Sequence, residues 1–256
     1  MRRSVEPTVR PENPRLRARA PEGRVELWTQ TDGAAPPVYG ERWIERSGRT
    51  YRVFDPNRSK LAAGLVRGWD GPVPRVGERW LYLGAASGTT ASHVADLVGP
   101  DGAVYAVERS VRPFARLLAL AERWPGLLPV LGDARGPEAY LDLVPPVEGI
   151  YADIPQPDQI EIVLANARLF LRGPESGLVV ALKTASMGRA TPAAGHLHRA
   201  EEQLGALVDL DPSVKLDPFH RAHYLIGGRP RRALFADGAT PSDRGPRAGS
   251  PARRRS

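Results

Sequence analysis

Cysteine is absent from this 256-residue chain, which rules out a disulfide scaffold and any Cys-ligated zinc or iron–sulfur centre. Long apolar runs are absent as well. Nothing approaches the roughly 20 residues needed to cross a bilayer, and the opening MRRSVEPTVRPENPR lacks the apolar stretch of a secretory leader. Both absences predict a cytoplasmic protein with no membrane attachment. Lysine is the third scarcity. Of 36 basic residues, 33 are Arg, leaving Lys60, Lys183 and Lys215. An amine can give up its proton when desolvated, whereas a guanidinium stays charged and is bulkier. Lysines that persist against such a bias are candidates for positions that arginine cannot fill.

The formal charge of +7 is unevenly spread. Residues 1–24 carry +4 and residues 229–256 carry +6, so residues 25–228 are mildly acidic at −3. Like charge mixed with Pro and Gly predicts solvated arms, here residues 1–23 and 231–256, able to attract nucleic acid without sequence preference. Residues 24–56 hold two strand-like runs, 25–28 and 50–54, separated by turn signals, and predict a small antiparallel β unit. The larger domain spans residues 57–230. It opens with a helix near Asn57 that puts Leu61, Leu65 and Trp69 on one face.

From residue 79 strands and helices alternate. Strand-like runs fall at 80–83, 103–107, 127–131, 149–153 and 178–182, with helical runs at 89–98, 112–123, 137–143, 157–171 and 193–206. The helix at 157–171 is expected to carry Pro157 in its first turn. This alternation predicts an α/β, Rossmann-like fold around a mainly parallel sheet. Runs at 207–216 and 222–228, joined by a Pro-containing turn, predict a closing antiparallel hairpin.

The carboxyl ends of the strands carry the chemistry. The first strand enters the loop LYLGAASGTT, where Gly84 and Gly88 stand four apart, a spacing unlike the dinucleotide Gly-x-Gly-x-x-Gly cradle. Glu108 ends the second strand, where it can accept from ribose hydroxyls, and Asp133 follows the third. Together they point to an adenosine-bearing cofactor without a pyrophosphate, which S-adenosylmethionine fits. Asp153 and Lys183 end adjacent strands and are expected to face one crevice. His196 and His198, two apart, do not share a helix face, and no metal site is expected.

These residues resemble the fibrillarin family, RNA ribose 2′-O-methyltransferases, over about residues 38–228. The segments that carry the resemblance are Tyr39-Gly40-Glu41-Arg42, Arg58-Ser59-Lys60-Leu61-Ala62-Ala63, Tyr82 to Val98, Tyr105-Ala106-Val107-Glu108, Gly132-Asp133-Ala134, Gln156-Pro157-Asp158-Gln159 and Lys183. With no long Gly/Arg-rich stretch ahead of it, the chain is similar to the shorter archaeal type. The resemblance implies a catalytic set of Lys60, Asp153, Lys183 and His223. It also implies S-adenosylmethionine contacts at Gly84, Thr89, Thr90, Glu108, Arg109, Asp133, Ala134, Asp153, Ile154, Pro155 and Gln156. Implied partners are a box C/D guide RNA with its target rRNA or tRNA, a Nop-type scaffold protein and a kink-turn-binding protein. Several positions depart from the family pattern: Arg109 replaces an aromatic, Pro155 replaces Ala, Ala222 replaces the Asp before His223, and Phe54-Asp55-Pro56 replaces the Trp before Arg58-Ser59-Lys60. On the mechanism expected here, Lys183 takes the hydroxyl proton, Asp153 orients the Lys183 amine and His223 positions the hydroxyl or relays the proton. Two other readings share the fold: a stand-alone methyltransferase of another nucleophile, and a non-catalytic subunit.

Overall fold

A computed structural model describes residues 13–19, 25–184 and 193–236. The remainder of both basic arms lies outside the described residues. Four strands, β1 (Leu16–Arg19), β2 (Glu26–Gln30), β3 (Trp43–Arg46) and β4 (Arg49–Val53), form an antiparallel sheet in the order β1-β2-β4-β3. Strand β1 corrects the expectation of an arm over residues 1–23. Leu16 is buried in the core, and the Asn13 amide donates to the carbonyls of Pro74 and Leu97 at 2.7 and 3.0 Å. Residues 231–236 likewise belong to the fold, as a short 3-10 helix at Arg232–Phe235 that buries Leu234.

Helix α1 (Lys60–Val66) follows, with the Ser59 hydroxyl capping its first turn. The second sheet comprises β5 (Arg79–Leu83), β6 (Ala103–Glu108), β7 (Leu127–Leu131), β8 (Gly149–Ala152), β9 (Gly177–Lys183), β10 (Val208–Leu210), β11 (Val214–Lys215) and β12 (His223–Pro230). Its order is β10-β12-β9-β8-β5-β6-β7, with β11 also paired to β12. Strands β5 to β9 are parallel, and β12 runs antiparallel beside β9. The expected architecture is therefore present. Alternate side chains explain the two-sided core: Trp80 and Tyr82 face the N-terminal unit, while Leu81 and Leu83 face the opposite layer. The crossover helices are α2 (Thr89–Val98), α3 (Val111–Ala121), α4 (Gln159–Phe170) and α5 (Ala193–Gly205).

Two helical expectations change. The run at 137–143 forms only a 3-10 turn at Pro137–Tyr140, and Pro145 and Pro146 close off any extension. Helix α4 starts at Gln159 with Asp158 at its N-cap, so Pro157 precedes the helix. Among the described residues no helix is long and apolar enough to cross a membrane, and no acidic, Cys or His cluster could hold a metal.

A buried polar cluster joins the two sheets. Arg52, fully buried, donates to Asp96 at 2.6 Å, Glu41 at 3.0 Å and Ser92 at 2.8 Å, with its guanidinium 4.9 Å from the Trp124 ring centre. His93 lies beside it, in contact with the Thr29 and Tyr39 hydroxyls at 2.8 and 2.9 Å and stacked on Phe54. Burial, then the nearby Arg52 charge, pushes the His93 pKa well down.

Candidate active site

The order in which strands are added reverses between β5 and β8, which remain parallel, and ligands of open α/β sheets bind at such switch points. There the loops after the two strands touch. Gly84 has φ +80°, and a Cβ on it would stand 2.4 Å from the Asp153 carbonyl oxygen. Glycine is required on both counts. Asp153 is also tied to β5 by its amide, which donates to Leu83 at 2.9 Å.

Glu108 ends β6 and bridges two loops: Oε2 accepts the Ala86 amide at 2.9 Å and Oε1 the Ser110 amide at 2.7 Å. Each oxygen keeps a further lone pair. Helix α2 begins at Thr89 with no side chain capping it, so its first-turn amides remain available to an anionic group. Thr90 is buried against the sheet, while Thr89 and Ser87 line a cavity of about 590 Å³ together with Tyr39 and Arg58. Asp133 accepts from Arg109 at 3.3 Å and from the Arg135 amide at 3.0 Å. The Ala134 carbonyl is held by Asn166 at 2.8 Å. Ile154, Pro155 and Gln156 form the turn after β8, closed by the Gln156 amide on the Ile154 carbonyl at 2.8 Å. This donor and acceptor set suits a nucleoside with a carboxylate tail.

Arg135 was not singled out in the sequence. It binds both Asp158 oxygens at 2.9 and 2.8 Å and Gln156 Oε1 at 3.1 Å, stapling the β7 loop to the β8 turn. The same contact lowers the Asp158 pKa. Nothing in its local sequence separates it from 32 other arginines.

The proposed catalytic residues converge from four elements. Lys60 begins α1, and its Nζ lies 2.6 Å from Asp153 Oδ2. The expectation that Asp153 orients Lys183 is corrected: the carboxylate is paired with Lys60, and no ion pair joins it to Lys183 among the described residues. Lys183 ends β9 and stands directly opposite His223, the first residue of β12. The His223 Nδ1–H donates to the Arg221 carbonyl at 2.8 Å, leaving Nε2 an acceptor in the neutral ring. Burial lowers the His223 pKa; the Arg221 carbonyl bond opposes this and the Lys60 charge adds to it. Ala222 takes φ +56°, and its carbonyl accepts both the amide and the hydroxyl of Thr184, each at 3.0 Å.

His220 joins this group, although the sequence offered no case for it. Its Nε2–H donates to the Pro56 carbonyl at 2.9 Å, and its ring centre lies 5.9 Å from that of His223. Burial and then the Lys60 charge lower its pKa. The missed signal was the three-residue spacing in His220-Arg221-Ala222-His223, which folds back across the turn ahead of β12.

The fibrillarin family model matches residues 17–232. The chain belongs to the fibrillarin family. A relative from Aeropyrum pernix, a fibrillarin-like rRNA/tRNA 2′-O-methyltransferase, is 40% identical over 213 residues, covering 82% of this chain and 91% of the relative. The crystal structure of Aeropyrum pernix fibrillarin with natively bound S-adenosyl-L-methionine superposes with a TM-score of 0.73. That pair is 41% identical, covering 80% of this chain and 90% of that one. A fibrillarin chain from a fibrillarin/Nop5p complex gives 0.74 at 35% identity, covering 84% and 97%. In the segment Tyr39-Gly40-Glu41-Arg42 the Glu41 carboxylate collects the amides of Val38 and Tyr39, the Trp43 indole and Arg52.

Proposed function

We propose that this chain is an S-adenosylmethionine-dependent RNA ribose 2′-O-methyltransferase, working on rRNA, tRNA or both in a box C/D guide-RNA particle. A Nop-type scaffold protein and a kink-turn-binding protein complete that particle. The observation that carries the reading is the placing of the Lys60–Asp153 pair and of Lys183 opposite His223 at the strand ends by the sheet's switch point. Relatives named for this activity, one with the cofactor bound and one in complex with Nop5p, support it.

When bound, S-adenosylmethionine supplies a methyl group activated by its sulfonium. The chain's own residues must deliver a ribose hydroxyl in line and remove its proton. Lys60 neutralises Asp153 and fixes it at the strand end, leaving the Lys183 amine as the proton acceptor. The hydroxyl has a single proton, and His223, opposite Lys183 with Nε2 as an acceptor, positions the hydroxyl or relays that proton to the amine. Glu108 accepts from the ribose diol, and Arg109, planar and cationic, stands where the family places an aromatic wall and can stack on a base in the same way.

Two measurements test the reading: calorimetric titration with S-adenosylmethionine, and methyl transfer in a particle reconstituted with a matched guide. Glu108→Ala should weaken cofactor binding by about 1.5–3 kcal/mol, the value of a charged hydrogen-bond pair. Tighter binding of NAD than of S-adenosylmethionine would overturn the assignment.

A further inference from the structure

The outer face of the N-terminal sheet has no part in the site described above. It holds a cavity of about 550 Å³ with Trp28 and Tyr51 in its lining. Arg17 and Arg19 rim it from β1, and Arg46 and Arg49 from β3 and β4. Strand order places these two rims toward opposite edges of the same face, two to three strand spacings or about 10–14 Å apart. All four arginines are exposed, and none makes an ion pair among the described residues. No carboxylate lines the cavity among those residues; the nearby Glu26 is already neutralised by Arg42, which lies 4.9 Å over the Trp28 ring. Trp28 is 3% exposed, and its indole N–H is buried without a hydrogen-bond partner. A buried donor left unpaired is uncommon and marks a place for an acceptor.

All of these charged and unpaired groups are cations or donors, so the occupant is an anion with several acceptor oxygens. We infer that this face binds the phosphodiester backbone of RNA, as a contact separate from the active site. The inference rests on the proposed function for its choice of RNA. Guanidinium forks match phosphate oxygens in pairs, and two rims of them suit a repeating phosphate chain. With Trp28 3% and Tyr51 8% exposed, the rings offer no platform on which bases stack. Binding is therefore through the backbone and indifferent to sequence. Two of the four, Arg46 and Arg49, lie within residues 25–228, whose mildly acidic net charge conceals them.

The test uses the full chain and a fluorescein-labelled single-stranded RNA of mixed sequence, titrated at several salt concentrations. Arg17→Gln/Arg19→Gln and Arg46→Gln/Arg49→Gln should each weaken binding about 10-fold near about 0.1 M salt and flatten the salt slope by about 1.4. Trp28→Phe, which keeps the ring and loses the donor, should weaken it more modestly, and a scrambled RNA should bind as the original does. Melting temperature should match the unaltered protein in the arginine variants, and S-adenosylmethionine affinity should match it in every variant. Arg253→Gln/Arg254→Gln, a charge-matched change in the tail, should cost less. Unchanged affinity in the face variants, or an equal loss in the tail variant, would overturn the inference. So would displacement of RNA by poly-glutamate at equal charge, which would assign the face to an acidic protein. Failure of the unaltered chain to bind S-adenosylmethionine would instead undo the methyltransferase reading, without touching the RNA result.

Discussion

Lys183 stands opposite His223 in the strand pair, and the Asp153 carboxylate is held by Lys60. Lys183→Arg keeps the charge, enlarges the head group and removes the neutral form near pH 7. It should abolish methyl transfer as fully as Lys183→Ala while cofactor binding survives. The same change at Lys215, which is exposed and paired with Asp217 at 3.2 Å, should be silent. Substantial activity in Lys183→Arg would leave the lysine as a fixed charge and move the proton to His223 or water. His220 calls for a separate measurement. It ties the Pro56 turn, which leads into Lys60, to the turn that leads into His223. His220→Ala should lower kcat about 3- to 10-fold, the value of one hydrogen bond, with the cofactor Kd unchanged and His220→Gln partly restoring the rate. At this scale the scarcity of lysine exposed two of the four proposed catalytic residues. Asp153 was legible as a strand end, but its partner was not, because Lys60 and Lys183 approach it from elements 123 positions apart.

Elements that alternate cleanly were legible; those that contradict composition were not. Strand β1, LRAR, lies in a segment dense with Arg and Pro, and only Leu16 and Ala18 face inward. Its pairing with β2 and the burial of Leu16 come from tertiary contacts that a local window does not contain. An arm with no packing role could be removed at no cost. Deleting residues 1–19 should instead lower the melting temperature by several degrees, since it exposes Leu27 and strips hydrogen bonds from Pro74 and Leu97. An unchanged melting temperature would show that β1 adds nothing. The buried cluster is the second feature hidden from the sequence, because charges are rarely buried. Removing Arg52 leaves Asp96 and Glu41 without their cation. Arg52→Ala should therefore cost about 3–5 kcal/mol in urea unfolding.

Across the whole molecule, acid and stability are linked through histidine. His93, His220 and His223 all have folded pKa values below the ordinary 6.5. For such groups the unfolded chain binds more protons, so stability is complete above about pH 6.5 and declines as the pH falls below it. Melting temperature should drop between pH 7 and pH 5, and His93→Gln, whose amide can still meet Thr29 and Tyr39, should flatten that drop. His93 alone accounts for a slope of up to about 1.4 kcal/mol per pH unit. A slope unchanged in the variant would assign the effect elsewhere. The parallel sheet and its closing hairpin were legible at this scale because alternation and turn signals are local. The hairpin has a further consequence. Side chains along a strand alternate between faces, so a slip of β12 by one residue would bring Ala222 or Tyr224 opposite Lys183 and turn His223 away. Residue 223 also leaves the ribosome after the whole of the cofactor site. A nascent or truncated chain ending before it contains all the residues proposed to hold S-adenosylmethionine yet cannot complete the catalytic set. Methyl transfer by the proposed set therefore requires that β12 has been synthesised and has paired in register with β9.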